Sequence, residues 1–306
     1  MSGLKRARVR WLLALVLFCL LVVASSLLWP VKTTFPVLPN PNGYEALVLA
    51  ASKLMGEPPD LGPTNQIELE KFVSANRNAL TELKQGLVLT GAVTVLFSEA
   101  WMTGHSRELM DIKAAAIALD AEAAQLASTG DTNRALSVAL DTLRWAEQAQ
   151  RGGVLIDYLV GSACEMIAIR RMTNLLVGLD AEHLKLALRH LNDHESKRDS
   201  WAALMRRENE WSWRTYGSLR RIQMMVETRS LRPYAELRAL MGDSAKEYRE
   251  RVTRARMAGL TIATHVFELE QGQPPRSLSD LVPNYLPVFP TNLMSGEHLE
   301  LPDPSK

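Results

Sequence analysis

Residues 106–150 read SRELMDIKAAAIALDAEAAQLAS, TGD and TNRALSVALDTLRWAEQAQ, and this stretch indicates the fold class most directly. Its first segment, residues 106–128, is rich in alanine, the residue with the highest helix propensity. In its last segment the apolar residues recur at the spacing of one helical face, at Leu136, Ala139, Leu140 and Leu143. Thr129-Gly130-Asp131 has the composition of a turn. The stretch therefore predicts an αα-hairpin.

The segments on either side of the hairpin also predict helices, each bounded by glycine, proline or a capping residue. They cover Tyr44–Met55, residues 67–85, Val154–Leu176, one or two helices within Leu179–Arg229 with Asp180 as N-cap, a further helix after the break at Pro233, and Asp243–Gln271. Gly86–Gly104 is apolar and rich in β-branched residues, which leaves it open as either a buried loop or a short strand. The predicted fold class is mainly α.

Residues 11–29, WLLALVLFCLLVVASSLLW, run for 19 residues without a charge. At about 1.5 Å per residue, a helix of this length spans the roughly 30 Å hydrocarbon layer of a bilayer. Tryptophans stand at both ends, where indole rings favour the membrane interface. Four cations precede the segment and only Lys32 follows closely, a bias typical of a cytoplasmic N-terminus. Trp11–Trp29 is therefore predicted to be a single transmembrane helix.

Two other interpretations of this segment stay open. A cleaved signal peptide would have a shorter apolar region of roughly 7–15 residues and a site of small residues. Ala24-Ser25-Ser26 is a possible site, but Leu27-Leu28-Trp29 continues the apolar run beyond it. The other alternative is a helix buried in a soluble core. Uncleaved anchoring fits the length and the flanking charges better than either.

The predicted organisation has five parts and places the protein in the inner (cytoplasmic) membrane. They are a basic cytoplasmic N-terminus (1–10), the anchor (11–29), a proline-rich linker (30–42), an extracytoplasmic all-helical domain (43–271) and a Gly/Pro-rich tail packed on it (272–306). The lipid bilayer is thus a predicted partner, through Trp11–Trp29. Cys19 lies in the anchor and Cys164 in a predicted helix, so no disulfide is expected.

Charge gives no argument for nucleic acid as a partner, because the formal net charge is only +1. Residues 197–256 nevertheless carry fifteen lysines and arginines against eight acids. Such a run predicts the solvated face of long helices. The alternative is a surface for anionic lipid or an envelope polymer.

The tail between residues 267 and 301 combines a predicted capping pair, Ser277 with Asp280, with a turn at Ser295-Gly296. Its pattern is carried by Gly272, Pro275, Leu278, Leu281, Val282, Pro283, Tyr285, Leu286, Pro287, Pro290, Ser295 and Gly296. This pattern resembles the C-termini of uncharacterised bacterial membrane-anchored helical proteins, and it is similar to a helix-to-proline passage in pseudopilins of type II secretion systems. The resemblance implies a fold and no activity. Thr291-Asn292 replaces the pair of an acidic residue and a proline in the pattern, so no calcium site carries over.

Two other stretches also carry resemblances. The residues from Asn76 through Arg151 and on to Leu155-Ile156-Asp157 resemble the same uncharacterised group. Ala124–Asp131 followed by Ala135 resembles one tetratricopeptide-type unit. Such units must stack to bury their faces, and the chain shows no repeat at a period of about 34 residues. The sequence therefore does not predict a solenoid.

The best candidates for catalytic acids are Asp157 and Glu165, which interrupt an otherwise apolar helix. Burial without a partner would raise the pKa of either carboxyl group. The alternative is that arginines such as Arg144 or Arg206 neutralise the two acids. Glu208 is a third candidate that could join such a polar cluster. The sequence favours a cluster that orders helix packing over one that performs catalysis.

The best candidate metal ligands are His183, His190 and His194, which share one strip of a predicted helix. No glutamate follows the first histidine in an HExxH pattern, and Lys185 and Arg189 lie nearby. The favoured interpretation is a partly exposed helical flank without a metal. His105 and His265 each stand alone in sequence, which favours a structural role.

No cofactor is predicted, because the chain has no Walker loop, dinucleotide fingerprint, GxSxG elbow or paired CxxC motif. The leading hypothesis is a membrane-anchored extracytoplasmic scaffold or protein-interaction module with a protein partner of unknown identity. One alternative is an envelope hydrolase or metal-dependent enzyme that uses the acids or histidines above. Another is an accessory of a type II secretion or pilus-like machine.

Overall fold

The structure is a computed structural model. It describes Phe18 and residues 33–59, 66–227 and 232–302, without the side chains of residues 218–241. Apart from Phe18, the predicted anchor at residues 11–29 lies outside the described residues, as does the basic N-terminus at residues 1–10. None of the described helices combines the length and apolar character that crossing a membrane requires.

Nine α-helices and no β-strand occur in the described residues, which confirms a mainly α fold. The helices are α1 (Gly43–Ala51), α2 (Gln66–Ala75), α3 (Arg77–Gly86), α4 (Glu99–Ser128), α5 (Thr132–Gln150), α6 (Leu155–Asn174), α7 (Ala181–Lys197), α8 (Trp201–Glu227) and α9 (Arg232–Gln271). Short 3₁₀ turns lie at Leu176–Gly178, between α6 and α7, and at Leu278–Asp280, after α9. Helix α8 is interrupted at Gly217, whose φ of 67° is non-helical.

Helices α4, α5 and α6 pack against one another at the centre of the domain, and α4 with α5 forms the predicted hairpin. Alanines line much of the contact because their small side chains let the helix backbones approach closely. Ala115, Ala118 and Ala146 are completely buried. Trp145 fills the remaining space and donates its indole N–H to the Ile112 carbonyl at 2.9 Å. The predicted apolar stripe of α5 is buried as expected.

The N-terminal part of the domain differs from the prediction at Asn76. One helix was predicted over residues 67–85, whereas the chain forms α2 and α3 with a break between them. The Asn76 side chain is buried and bonds three backbone groups, accepting from Met55 N–H and donating to Met55 O and Phe72 O. These long-range bonds are the physical reason for the break. Residues 88–97 form an irregular loop, so the strand alternative for Gly86–Gly104 is wrong.

The C-terminal half encloses a second part of the core. The segment predicted as one or two helices forms α7 and α8, and the Asp180 side chain caps α7 by accepting from His183 N–H at 2.9 Å. Helix α4 starts earlier than predicted, at Glu99. The helix predicted after Pro233 and the one predicted at Asp243–Gln271 form a single helix, α9, which begins at Arg232. Serine provides the early cap of α4, since Ser98 Oγ accepts from Trp101 N–H.

The tail packs on the helical body. Leu281, Leu286 and Leu299 are buried in the core that α5, α6, α7 and α9 form. The predicted capping pair is present, and the Asp280 carboxylate accepts from Ser277 N–H at 3.1 Å. An isolated antiparallel bridge then joins Thr291 to His298 around the predicted turn. The tail therefore forms one wall of the surface described next.

Candidate functional site

Asp157 lies in the first turn of α6 and is completely buried. Its carboxylate accepts the backbone N–H of Val154 at 2.8 Å and a ring N–H of His105 at 2.5 Å. Gly153 leaves room for this arrangement, since a Cβ there would lie 2.5 Å from the Asp157 Cβ. The acid thus acts as a helix cap and as the partner of a buried histidine from α4.

His105 is enclosed between two carboxylates. Its Nε2 faces Asp157, its Nδ1 lies 3.0 Å from Glu108 Oε2, and its ring stacks on Trp101 with centroids 4.4 Å apart. Burial alone would lower the pKa of His105, but the hydrogen bonds and negative charges of Asp157 and Glu108 raise it above its ordinary value. Because both nitrogens face acceptors, the doubly protonated imidazolium satisfies both bonds. The pair is an internal ion pair.

Glu208 approaches the same region from α8. Its carboxylate accepts the backbone N–H of Leu155 at 2.9 Å. Burial raises the pKa of Glu208, and the nearby Asp157 carboxylate raises it further, against the lowering effect of that hydrogen bond. Glu208 and Asp157 therefore cap the start of α6 together. Both lie outside the lining of the cavities described below.

Glu165 forms a second buried cluster, two turns further along α6. The Arg198 guanidinium donates two hydrogen bonds to the Glu165 carboxylate, and both side chains are at most 5% exposed. Burial would raise the pKa of Glu165, but Arg198, together with the adjacent His194, outweighs that effect and lowers it to about 2. Glu165 is therefore ionised and neutralised by an arginine.

The prediction that an arginine neutralises the buried acids is confirmed for Glu165, but the named partners are wrong. Arg144 bonds Asp141 on its own helix, and Arg206 bonds neither acid. Helical spacing does not predict either partner, because each is distant in sequence from its acid. His105 is 52 residues from Asp157, and Arg198 stands just past the end of α7.

The three histidines of the predicted strip have separate environments. His183 Nδ1 contacts Asp180 at 2.8 Å on the exposed side of α7. His190 is half-buried, and burial and nearby arginines lower its pKa. His194 is 5% exposed and lies beside Glu165. In the part of the chain that the structure describes, no group of three potential ligands could hold a metal ion.

The cationic run at residues 197–256 is only partly a solvated face, which corrects the prediction. Arg198 and Arg207 are almost completely buried, and Arg207 bonds both Asp199 and the Gly153 carbonyl. Arg251 reaches the Ser162 hydroxyl at 2.6 Å. Arg198, just after α7, Arg207 on α8 and Arg251 on α9 all bond α6 or the residues just before it. Each guanidinium has five N–H donors, and when it is buried these need acceptors within the protein.

Several cavities flank the end of α7, and one of them, of about 330 Å³, lies between residues 87–91 and helices α5 and α7. Two others have walls that include the linker or the tail. The first, here called the linker cavity, has a volume of about 420 Å³ and is walled partly by Thr34–Pro36 of the predicted linker. The second, here called the tail groove, has a volume of about 300 Å³ and lies between residues 286–291 of the tail and helices α7 and α9. His194 and Arg198 line both of them. The arrangement is suited to binding ligands.

Comparison of the chain with protein-family models, curated proteins and solved structures found no match. The resemblances of the tail and of the middle of the chain therefore stay predictions. The buried acids stabilise the start and the middle of α6, and the linker cavity and the tail groove are concave surfaces close to Glu165 and Arg198.

Proposed function

We propose that the protein is a membrane-anchored extracytoplasmic helical module that binds a partner protein through the tail groove. The groove supports this proposal because its walls are apolar and open. Leu191, Leu286 and Pro287 line it, and Val288 and Phe289 at its edge are 68% and 39% exposed. A volume of about 300 Å³ suits one or two large apolar side chains, the kind of anchor that dominates protein interfaces.

Charged groups surround the apolar centre of the groove. Arg256 bonds Glu195 at 2.8 Å and also donates to the Thr291 hydroxyl at 2.7 Å. Both charged side chains are about one-quarter to one-third exposed. An apolar centre within a polar rim is the usual anatomy of a protein interface. The proposed occupant is therefore an apolar side chain on an exposed segment of another protein.

The position of the groove indicates where that partner resides. The linker cavity shares His194 and Arg198 with the groove, and its wall begins at Thr34. Only five residue steps separate Thr34 from Trp29, the predicted end of the anchor, and an extended chain covers at most about 18 Å over that distance. The groove is then close to the membrane surface, and the partner is proposed to be held at the same membrane.

The orientation can be tested by labelling single cysteines with a membrane-impermeant maleimide. Ser137 is exposed on α5, whereas the native Cys164 is completely buried. In right-side-out membrane vesicles we expect Ser137→Cys to be labelled without permeabilisation and Ser2→Cys to be labelled only after it. The parent chain corrects for any labelling of Cys19. The reverse pattern, or recovery of the chain in the soluble fraction, would contradict the anchored orientation.

Partner binding can be tested with a photocrosslinking residue at Val288 in membranes of the source cells. We expect one discrete adduct with a membrane protein, identified by mass spectrometry. Gly259 also lines the groove, and a Cβ there would meet nothing within 4 Å. Gly259→Leu should therefore fill the groove without a clash and abolish the adduct, whereas Gly259→Ala should keep it.

A matched control uses Val177, which is 96% exposed on the turn at Leu176–Gly178 and lies outside the groove. The same adduct from Val177 would show non-specific proximity. An adduct that survives Gly259→Leu would likewise refute binding through the groove. Identification of a secretion component as the partner would favour an accessory role in such a machine.

A further inference from the structure

Two residues that line the linker cavity, Tyr158 and His194, carry buried polar atoms. The Tyr158 hydroxyl has no hydrogen-bond partner among the described residues, and Tyr158 is only 3% exposed. The two ring nitrogens of His194 also lack a hydrogen bond to any described residue, at 5% exposure. Nε2 lies 3.4 Å from Glu165 Oε1 but without hydrogen-bond geometry. A buried polar group without a partner is destabilising, so unpaired groups on two residues of one cavity favour a ligand that pairs with them.

The charges around the cavity define what that ligand must supply. Arg198 and Arg207 are engaged by Glu165 and Asp199, and Lys197 contacts Asp193 at 2.6 Å. Arg151, exposed at the rim, forms no ion pair or side-chain hydrogen bond with any described residue. A guanidinium is only a donor, and a tyrosine hydroxyl has a proton to donate. The ligand must therefore carry an acceptor with negative charge.

The balance of charge favours a single negative charge over a double one. Glu147 and Asp199 also line the cavity, and ionised Glu165 lies directly behind Arg198. A phosphate monoester carries a charge of roughly −1.5 to −2 near neutral pH. These acids would repel it, and Arg151 alone would offset its charge. A carboxylate carries one charge and matches the planar guanidinium of one arginine in two parallel hydrogen bonds.

The remaining wall of the cavity is apolar. Phe35 and Pro36 come from the linker, and Leu204 comes from α8. The linker is fixed closely at this point, since a Cβ on Gly152 would lie 2.2 Å from Pro36 Cγ. A volume of about 420 Å³ is within the range of small-molecule sites. The wall thus offers an apolar contact for the body of a small ligand.

We infer that the linker cavity binds a small organic acid, with its carboxylate at Arg151, Tyr158 and His194 and its apolar body against Phe35, Pro36 and Leu204. This inference is independent of partner binding in the tail groove. Arg151 and Tyr158 line the linker cavity and lie outside the lining of that groove. The linker supplies part of the wall, so an occupied cavity holds the linker against the domain.

The test uses the full chain in a mild detergent and 4-fluorobenzoate as the probe, observed by fluorine NMR. We expect saturable binding that 4-fluorobenzamide, its neutral counterpart, does not compete for. Inorganic phosphate should compete at least ten-fold more weakly than benzoate. Arg151→Gln and Tyr158→Phe should each weaken binding of the probe about ten-fold or more. Arg134→Gln should leave it unchanged, because Arg134 is exposed on α5 and pairs with Asp131.

Thermal unfolding of the ligand-free variants separates binding from folding. Tyr158→Phe removes a hydroxyl that has no hydrogen-bond partner among the described residues, so the Tm of this variant should equal or exceed that of the parent chain. Absence of saturable binding by the carboxylate would overturn the inference, as would equal binding of the benzamide. Tighter binding of phosphate than of benzoate would overturn the assignment to a carboxylic acid. Unchanged affinity in Arg151→Gln and Tyr158→Phe would place the ligand elsewhere.

Discussion

Replacing Arg198 with methionine is expected to lower the free energy of unfolding by about 3–5 kcal/mol, because it leaves the buried Glu165 carboxylate without its arginine partner. Glu165 is completely buried and the Arg198 side chain is 5% exposed. Methionine keeps much of the length and the apolar stem of arginine. The measurement is urea denaturation of the full chain in mild detergent, followed by tryptophan fluorescence.

The pH dependence of this variant gives a second readout. In the parent chain the folded-state pKa of Glu165 is lowered from 4.5 to about 2. The pair therefore contributes stability that is fully present above pH 4.5 and is lost as the pH falls towards 2. In Arg198→Met burial is no longer opposed by the arginine, so protonation of Glu165 relieves the buried charge. The difference between parent and variant should shrink on acidification.

Two controls distinguish the charge effect from a packing defect. The double variant Glu165→Leu/Arg198→Met should recover much of the lost stability, since replacing a whole buried pair is far less costly than breaking it. Arg134→Met removes an arginine that is 72% exposed and should change stability by about 1 kcal/mol or less. A loss for Arg198→Met below about 1 kcal/mol, or no recovery in the double variant, would contradict the assigned role of the pair.

Replacing Asp157 with alanine is expected to destabilise the fold by a similar amount, about 3–5 kcal/mol. The substitution strips the buried His105 of its closest acceptor and leaves the Val154 N–H without its cap. Asp157→Asn keeps an oxygen of the same shape for the cap and should cost less. The same urea titration compares the two variants. Equal losses in both would show that the negative charge of Asp157, which both variants lack, controls the effect, and not the oxygen that caps Val154.

The pH dependence of the His105 pair has the opposite sign to that of Glu165. The pKa of His105 is raised above its ordinary value of 6.5, so the pair contributes stability that is fully present below pH 6.5. That contribution is lost as the pH rises through the folded-state pKa. Glu108, Glu208 and Tyr44 also face this region, and a raised pKa of Glu208 acts in the same direction.

NMR titration of the His105 ring in the parent chain and in Asp157→Asn isolates the histidine from these neighbours. We expect a midpoint above 6.5 in the parent chain and a lower one in the variant. The parent should also lose more stability than the variant between pH 6.5 and 9. A parent midpoint at or below 6.5 would contradict an ion pair between His105 and Asp157.

The helices were largely predictable because each depends on local signals. Thr132–Gln150 has the same bounds in the sequence prediction and in the structure, since Asp131 caps its start and Gly152-Gly153 follows its end. At Asn76 these local signals give the wrong prediction. Its side chain bonds the backbone of Met55, 21 residues earlier, and that contact breaks a helix that the periodicity predicts as continuous.

The candidate site was predictable only in part. The position of Asp157 and Glu165 in an apolar helix was enough to predict that both are buried and satisfied. A lone histidine gives no comparable signal, and His105 was interpreted as isolated although it is the partner of Asp157. Neither cavity was predicted, since each is bounded by four or more segments that are distant in sequence.

The sequence by itself determined the mainly α fold class, the caps at Asp180 and Ser277, and the burial of two acids in α6. These follow from spacing, side-chain size and turn chemistry within a few residues of each position. Only the tertiary structure decided that His105 and Arg198 are the partners of those acids and that two cavities meet at His194. Buried charges require partners, but the identity of a partner depends on which helices become neighbours, and that is set by the packing of the whole chain.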